Sequence, residues 1–347
     1  MDLVLEVCDT FVFDKIYSAL FPVPDAVTTI LQAAADPSVA LKNISVPYIP
    51  ATPYEYTLIP AGPAAYMTTI ARTNIWRQTT SLYIITAIFG VLLYLVFATL
   101  SYVFIFDKRS MQHPKFLKNQ ISMEMIQALT AIPFMVLYTV PWFLAEVRGY
   151  GMLYWDVEDY GYFYLALQFP LFIGFTDCGI YAIHRGLHHP LLYKRLHKPH
   201  HKWIVPTPFA SHAFHPVDGY LQSLPYHFFP FVFPLHKISY LFLFTFINVW
   251  TIMIHDGEYV TQNPAINGSA CHTVHHLYFN YNYGQFTTLW DRIGGSYRKP
   301  DVSLFDQKVK MNQATWKQQS KEMEKIVKEV EIVDERTYDG PDSKKTQ

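Results

Sequence analysis

Between Gln78 and Phe106 the chain runs for 29 residues without a charged side chain. That length crosses a bilayer as a helix with some tilt. In hydrocarbon every backbone N–H and C=O must be satisfied within the segment, which leaves an α-helix as the simplest solution. A second charge-free run covers Met125–Ala145, with Pro133 and Pro141 tolerable inside a membrane helix. A third covers Tyr160–Thr176, and its helical pattern continues through Asp177 and Tyr181. A fourth apolar region, 219–254, is broken by Pro234-Leu235-His236-Lys237, so it reads as a hairpin or a pair of re-entrant segments. Only 16% of the residues are charged and 51% are hydrophobic, against about 25% charged in ordinary soluble domains. The expected fold is an all-α membrane protein with about four to five transmembrane or re-entrant helices.

Loop charge gives an orientation. Lys108, Arg109, Lys115 and Lys118 mark the loop after the first span as cytoplasmic, and the acid-rich loop with Glu146, Asp156, Glu158 and Asp159 suits the lumen. The third span returns to a basic segment, Arg185 to Lys202. On this scheme residues 1–76, rich in proline, form a lumenal arm of irregular or partly helical character. Residues 77–300 form the membrane domain, and 301–347 a charged cytoplasmic tail whose 308–335 stretch is a solvated surface helix. The Asn43 sequon then faces the lumen and the Asn267 sequon the cytoplasm. The terminal Lys344-Lys345-Thr346-Gln347 is similar to a dilysine retrieval signal. Acidic residues near Met1 stand where a secretory signal needs basic ones. A net charge of −1 with no basic stripe excludes a nucleic-acid footprint. Cys8, Cys178 and Cys271 are too scattered for a disulfide framework or a zinc ribbon.

Fourteen of the 15 histidines lie between His184 and His276, and His113 is the other. Eight sit in three boxes: His184 and His188 at i, i+4; His197, His200 and His201; and His272, His275 and His276, the last two boxes at i, i+3, i+4. On helices those offsets stack each box on one face, where the imidazoles can converge on metal. With His212, His215, His227, His236 and His255 nearby, the supply suffices for two ions at one cytoplasmic end of the spans. No HExxH is present and no Glu occurs between Glu158 and Glu258, which argues against a zincin protease and against a carboxylate-rich di-iron bundle. Asp177, Asp218 and Asp256 are candidates to hold the second nitrogens of the ligands.

The strings TDCGIYAIHRGLHH, YKRLHKPHHKWIVPTPFASHAFHPVDG and ACHTVHHLYFNYNYGQFTTLWDRIGGSY carry a resemblance over roughly residues 70–300. They resemble the fatty acid hydroxylase/sterol desaturase superfamily and, within it, the fungal delta-7-sterol 5-desaturases. The resemblance implies a di-iron oxidoreductase of the endoplasmic reticulum membrane in ergosterol synthesis. It would place a C5–C6 double bond in a delta-7 sterol, using O2 and electrons from NAD(P)H through a reductase and cytochrome b5. It implies ten iron ligands: His184, His188, His197, His200, His201, His215, His255, His272, His275 and His276, with His212 a substitute for His215 or His255. His189 competes with His188, and the i+4 spacing favours His188. The exposed basic residues Lys194, Arg195, Lys198 and Lys202 are either a docking patch for an acidic donor or ordinary loop charges. The alternative is a sister oxidase on the same scaffold, a sterol C-4 methyl oxidase or a fatty acid hydroxylase.

Overall fold

The computed structural model describes residues 1–24, 59, 61–330 and 336. The sequon at Asn43 and the Lys344-Lys345 pair lie outside the described residues. Four helices among these are long and apolar enough to cross a membrane: α3 (Ile75–Phe104), α4 (Gln120–Val147), α5 (Gly161–Leu187) and α7 (Lys237–His255). Two short N-terminal helices, α1 (Asp2–Cys8) and α2 (Asp14–Leu20), precede them. On α3, Leu92, Val96 and Leu100 follow one another at one-turn spacing and are 55%, 50% and 46% exposed. Such an uninterrupted apolar stripe suits lipid rather than water. The chain is a multi-pass membrane protein.

The broken fourth region resolves into unequal parts. Helix α6 (Pro216–Phe228) has 13 residues, too few to cross a bilayer, so this part is not a full membrane crossing. A single 3-10 turn, Phe229–Phe231, follows, and Leu235–His236 pairs in parallel with Leu153–Tyr154 before α7 begins. Helix α6 starts where it does because Pro216 supplies a preset first turn and the His215 ring accepts the Val217 N–H at 3.3 Å. It packs tightly on α5. A Cβ on Gly179 would stand 2.7 Å from the Pro225 ring, so only glycine allows this approach.

Contacts divide the described residues into two compact units, one drawn from 1–88 with 140–150 and the other from 89–139 with the described residues after 150. In the first, two arginines are buried among acids of the N-terminal helices. Arg77 donates to Asp9 at 3.0 Å and to Asp14 at 2.6 Å, and its guanidinium lies 4.5 Å from the centre of the Tyr17 ring. Arg72 pairs with Asp14 through Nε at 2.9 Å. Removing one partner from such a cluster typically costs about 3–5 kcal/mol.

The second unit holds all three boxes. Along α4, Gln120, Glu124 and Gln127 project a polar stripe that grips the segment after box two. Gln120 donates to the Val205 carbonyl at 2.8 Å, Glu124 accepts the Thr207 N–H at 3.3 Å, and Gln127 donates to the Ala213 carbonyl at 2.7 Å. Box three sits on α8 (Ser269–Tyr278), and α9 (Gln313–Val330) packs against it. Met323 and Val327 of α9 are buried with Tyr193, Val274, Leu277 and Phe279. The tail helix is therefore amphipathic and docked, with one face solvated and the other part of the core.

Candidate metal centre

The boxes meet in two groups. His184, His188, His197, His201 and His275 form one, and His200, His255, His272 and His276 the other; within each group one ring nitrogen per residue lies within 4.8 Å of every other. The groups abut, with the His201 and His276 rings 5.1 Å apart and those of His275 and His276 5.8 Å apart. Neighbouring side chains of a box therefore serve different groups, because i and i+1 on a helix point about 100° apart.

What fixes the rings is largely backbone. His184 Nδ1 donates to the Tyr283 carbonyl at 2.9 Å, His275 Nδ1 to Tyr281 at 2.7 Å, His276 Nδ1 to Trp203 at 2.9 Å and His255 Nδ1 to Thr251 at 2.7 Å. His197 Nδ1 donates to the Asp218 carboxylate at 2.8 Å. A neutral imidazole whose Nδ1 carries the proton presents a bare lone pair at Nε2. Yet the Nε2 atoms of His184 and His197 face each other at 3.0 Å. In the other group the Nε2 of His272 lies 2.9 Å from that of His255 and 3.1 Å from that of His276. In the His184–His197 pair, where both Nδ1 atoms carry the proton, the two facing lone pairs repel unless a cation lies between them. The buried Nε2 of His275 likewise has no protein partner among the described residues. Burial pushes His188, His200, His201, His272, His275 and His276 well below the ordinary histidine pKa, which keeps them neutral and ready to ligate. The donor set fits a transition metal in each group.

The sequence-derived set is gathered with one difference. Nine of the ten predicted ligands lie in the two groups, but the structure does not bring His215 to either, and its Nδ1 caps α6. His188 joins the first group while His189 is exposed and accepts the Leu191 N–H. His212 is outside both groups, its Nε2 3.1 Å from Asn248 Oδ1. Among the candidate acids only Asp218 supports an imidazole. Asp177 instead accepts the backbone N–H groups of Gln285, Phe286 and Thr287 at 2.9, 2.7 and 3.2 Å, and Asp256 accepts that of Glu258 at 2.8 Å.

Sequence reasoning missed the loop that follows α8. Phe279, fully buried, closes the helix at φ +60, in the left-handed region that favours glycine. That turn sends the chain back so that the carbonyls of Tyr281 and Tyr283 reach His275 and His184. Asp291 fixes the return by accepting the Tyr283 and Gly284 N–H groups at 2.9 and 2.8 Å. Burial raises the Asp291 pKa above the ordinary carboxyl value. A φ > 0 phenylalanine has no sequence signature; DRIGG, with its acid before two glycines, is the signal that was available. The Asn267 sequon is closed, since the side chain is 2% exposed and its amide donates to the Gly284 carbonyl.

Comparison with known proteins agrees with this site. A family model described as fatty acid hydroxylase matches residues 169–296, a window that holds every histidine of both groups. A Delta(7)-sterol 5(6)-desaturase of Aspergillus fumigatus is 57% identical over 97% of this chain and 97% of its own length. The chain belongs to the Delta(7)-sterol 5(6)-desaturase family. Family members from Eremothecium gossypii and Saccharomyces cerevisiae are 54% and 51% identical, covering 98% and 99% of this chain and all of their own. No solved structure matches the chain.

Proposed function

We propose that the protein is a di-iron oxidoreductase of the endoplasmic reticulum membrane that introduces the C5–C6 double bond into a delta-7 sterol such as episterol, in ergosterol synthesis. The observation that carries the reading is the pair of abutting imidazole groups with facing Nε2 atoms at the ends of apolar helices. His184, His188, His197, His201 and His275 would hold one ion, and His200, His255, His272 and His276 the other. Iron, when bound, supplies the redox chemistry with dioxygen that removing hydrogen from an unactivated carbon requires, which zinc lacks. Two hydrogens leave the sterol, and dioxygen with two electrons and two protons becomes two waters.

The protein's own contribution is placement and exclusion. Buried, preoriented imidazoles hold the ions without rearrangement. A substrate insoluble in water reaches the groups along helices already in the bilayer. Electrons come from NAD(P)H through a reductase and cytochrome b5, a donor that must dock outside. The π-helical segment Tyr193–His197 suits this, because it turns His197 inward while Lys194 and Arg195 are exposed. An acidic donor would be steered to such a surface.

The test is the sterol profile of fungal cells lacking their own 5-desaturase, with and without this chain. Restored 5,7-diene sterols, read by conjugated ultraviolet absorbance and mass, are expected. Delta-7 sterols persisting while the protein is present in the membrane would overturn the reading, and hydroxylated sterols or acyl chains would point to a sister oxidase instead.

A further inference from the structure

His212 and Asn248 are polar side chains in apolar surroundings that the metal groups do not use. The 3-10 turn Pro208–His212 packs on α7, and Tyr94 of α3 lies 5.3 Å from the His212 ring. His212 Nδ1 is 3.0 Å from Ser211 Oγ and its Nε2 is 3.1 Å from Asn248 Oδ1. Asn248 Nδ2 donates to the Phe244 carbonyl, one turn back on its own helix, at 2.7 Å. The bonds assign the proton to His212 Nε2, with Ser211 donating to Nδ1. Asn248 has spent one of its two amide hydrogens and one of the two lone pairs of Oδ1. Among the described residues nothing else takes the remaining hydrogen or the remaining lone pair. One donor and one acceptor side by side match a hydroxyl group, which needs both.

The position along α7 says which hydroxyl. Asn248 precedes His255 by seven residues, two helical turns, so the two lie on the same face about 10 Å apart along the axis. His255 belongs to the second metal group. In a sterol the C-3 oxygen lies three bonds from C-5 and four from C-6. We propose that Asn248, oriented by His212, receives the 3-hydroxyl group of the sterol and so sets C-5 and C-6 between itself and the second histidine group. This rests on the sterol reading above, and makes the pair a determinant of substrate position rather than a reserve of metal ligands.

The test compares two ligands on one protein. Full-length protein in lipid nanodiscs is titrated with a fluorescent conjugated-polyene sterol and with its 3-deoxy counterpart, and turnover is measured on delta-7 sterols with and without the 3-hydroxyl. Wild type is expected to favour the hydroxylated ligand by about 10-fold or more, because a site built to bond a hydroxyl is left unpaired by the analogue. Asn248→Leu is expected to bring that ratio close to one, mostly through KM, and His212→Phe to lower it partway. The ratio is internal to each preparation, so partial folding does not disturb it, and Asn248→Ala replaces Asn248→Leu if the latter does not accumulate. Thr245→Val is the control, since that hydroxyl bonds its own helix at the Leu241 carbonyl, and its ratio is expected to match wild type. A wild type that does not discriminate, or an Asn248 variant that discriminates as well as wild type, would overturn the proposal. Wild-type protein that binds the hydroxylated sterol selectively but converts none would count against the desaturase reading and leave Asn248 as the anchor.

Discussion

In the first histidine group His197 leans on the carboxylate of Asp218, while His184 and His275 lean on the carbonyls of Tyr283 and Tyr281. The supports seen for the second group, at His255 and His276, are the carbonyls of Thr251 and Trp203. A carboxylate makes its imidazole a stronger ligand than a carbonyl does. The first group also has five members and the second four. Two positions built from one side-chain type are thus unequal, with the tighter on the α5 side and the less saturated on α7. Helix α7 carries both His255 and Asn248, so the group with fewer ligands is the one nearer the proposed sterol anchor. A structural ion is closed by its ligands and a reactive one keeps room.

The largest effects should come from removing one ligand from each group. His201→Ala and His272→Ala are both expected to abolish turnover while the protein still inserts, and each should keep about half of the wild-type metal, measured by elemental analysis of purified protein. Loss of all metal in either variant would mean that the groups are one site. Next comes Asp218→Asn, expected to weaken metal binding at the first group by about 10–100-fold. A chelator titration should then show one weakened phase and one unchanged phase, and two equally weakened phases would remove the asymmetry.

Most of both groups was legible because a ligand box is a local pattern: eight of the nine gathered histidines stand in the three boxes at helical spacing. The ninth, His255, stands alone in sequence, and only the family resemblance pointed to it. The same resemblance pointed to His215, whose ring the structure spends on capping α6. Three spans were legible from charge-free length, and the break at 234–237 was legible where α7 begins at Lys237, while the early end of α6 at Phe228 was not, since apolar composition does not say where a helix ends. Least legible were supports that act through backbone. Tyr281, Tyr283 and Trp203 serve by their carbonyls, so their side chains carry no trace of the role. In the first compact unit, Arg77 meets Asp9 and Asp14 across 68 and 63 residues of sequence, a pairing with no period to detect.

A smaller effect separates the groups through the loop after α8. Asp291→Asn weakens the hold on the Tyr283 and Gly284 N–H groups, so the Tyr283 carbonyl slackens toward His184 while Trp203 and Thr251 are untouched. The cost should be about 1–3 kcal/mol of stability, with metal loss confined to the first group. Equal loss from both groups would show that the loop supports them jointly.

The smallest difference is in acid. Burial holds His201 of the first group and His272 of the second below the ordinary value of about 6.5, so each group resists protonation in the native state until the pH falls well under it. A depressed histidine pKa leaves the unfolded chain binding more protons than the folded one, so lowering the pH below about 6.5 favours unfolding and with it release of metal, and raising it above restores the site. Besides ligand number, the groups differ at Asp218, whose negative charge offsets the electrostatic cost of a cation in the first group and has no counterpart among the supports seen for the second. Metal should therefore leave the second group at the higher pH, by a fraction of a unit. Following metal content against pH in wild type and in Asp218→Asn decides it, because the two phases should merge in the variant. Phases that stay apart without the carboxylate would assign the inequality to ligand number alone.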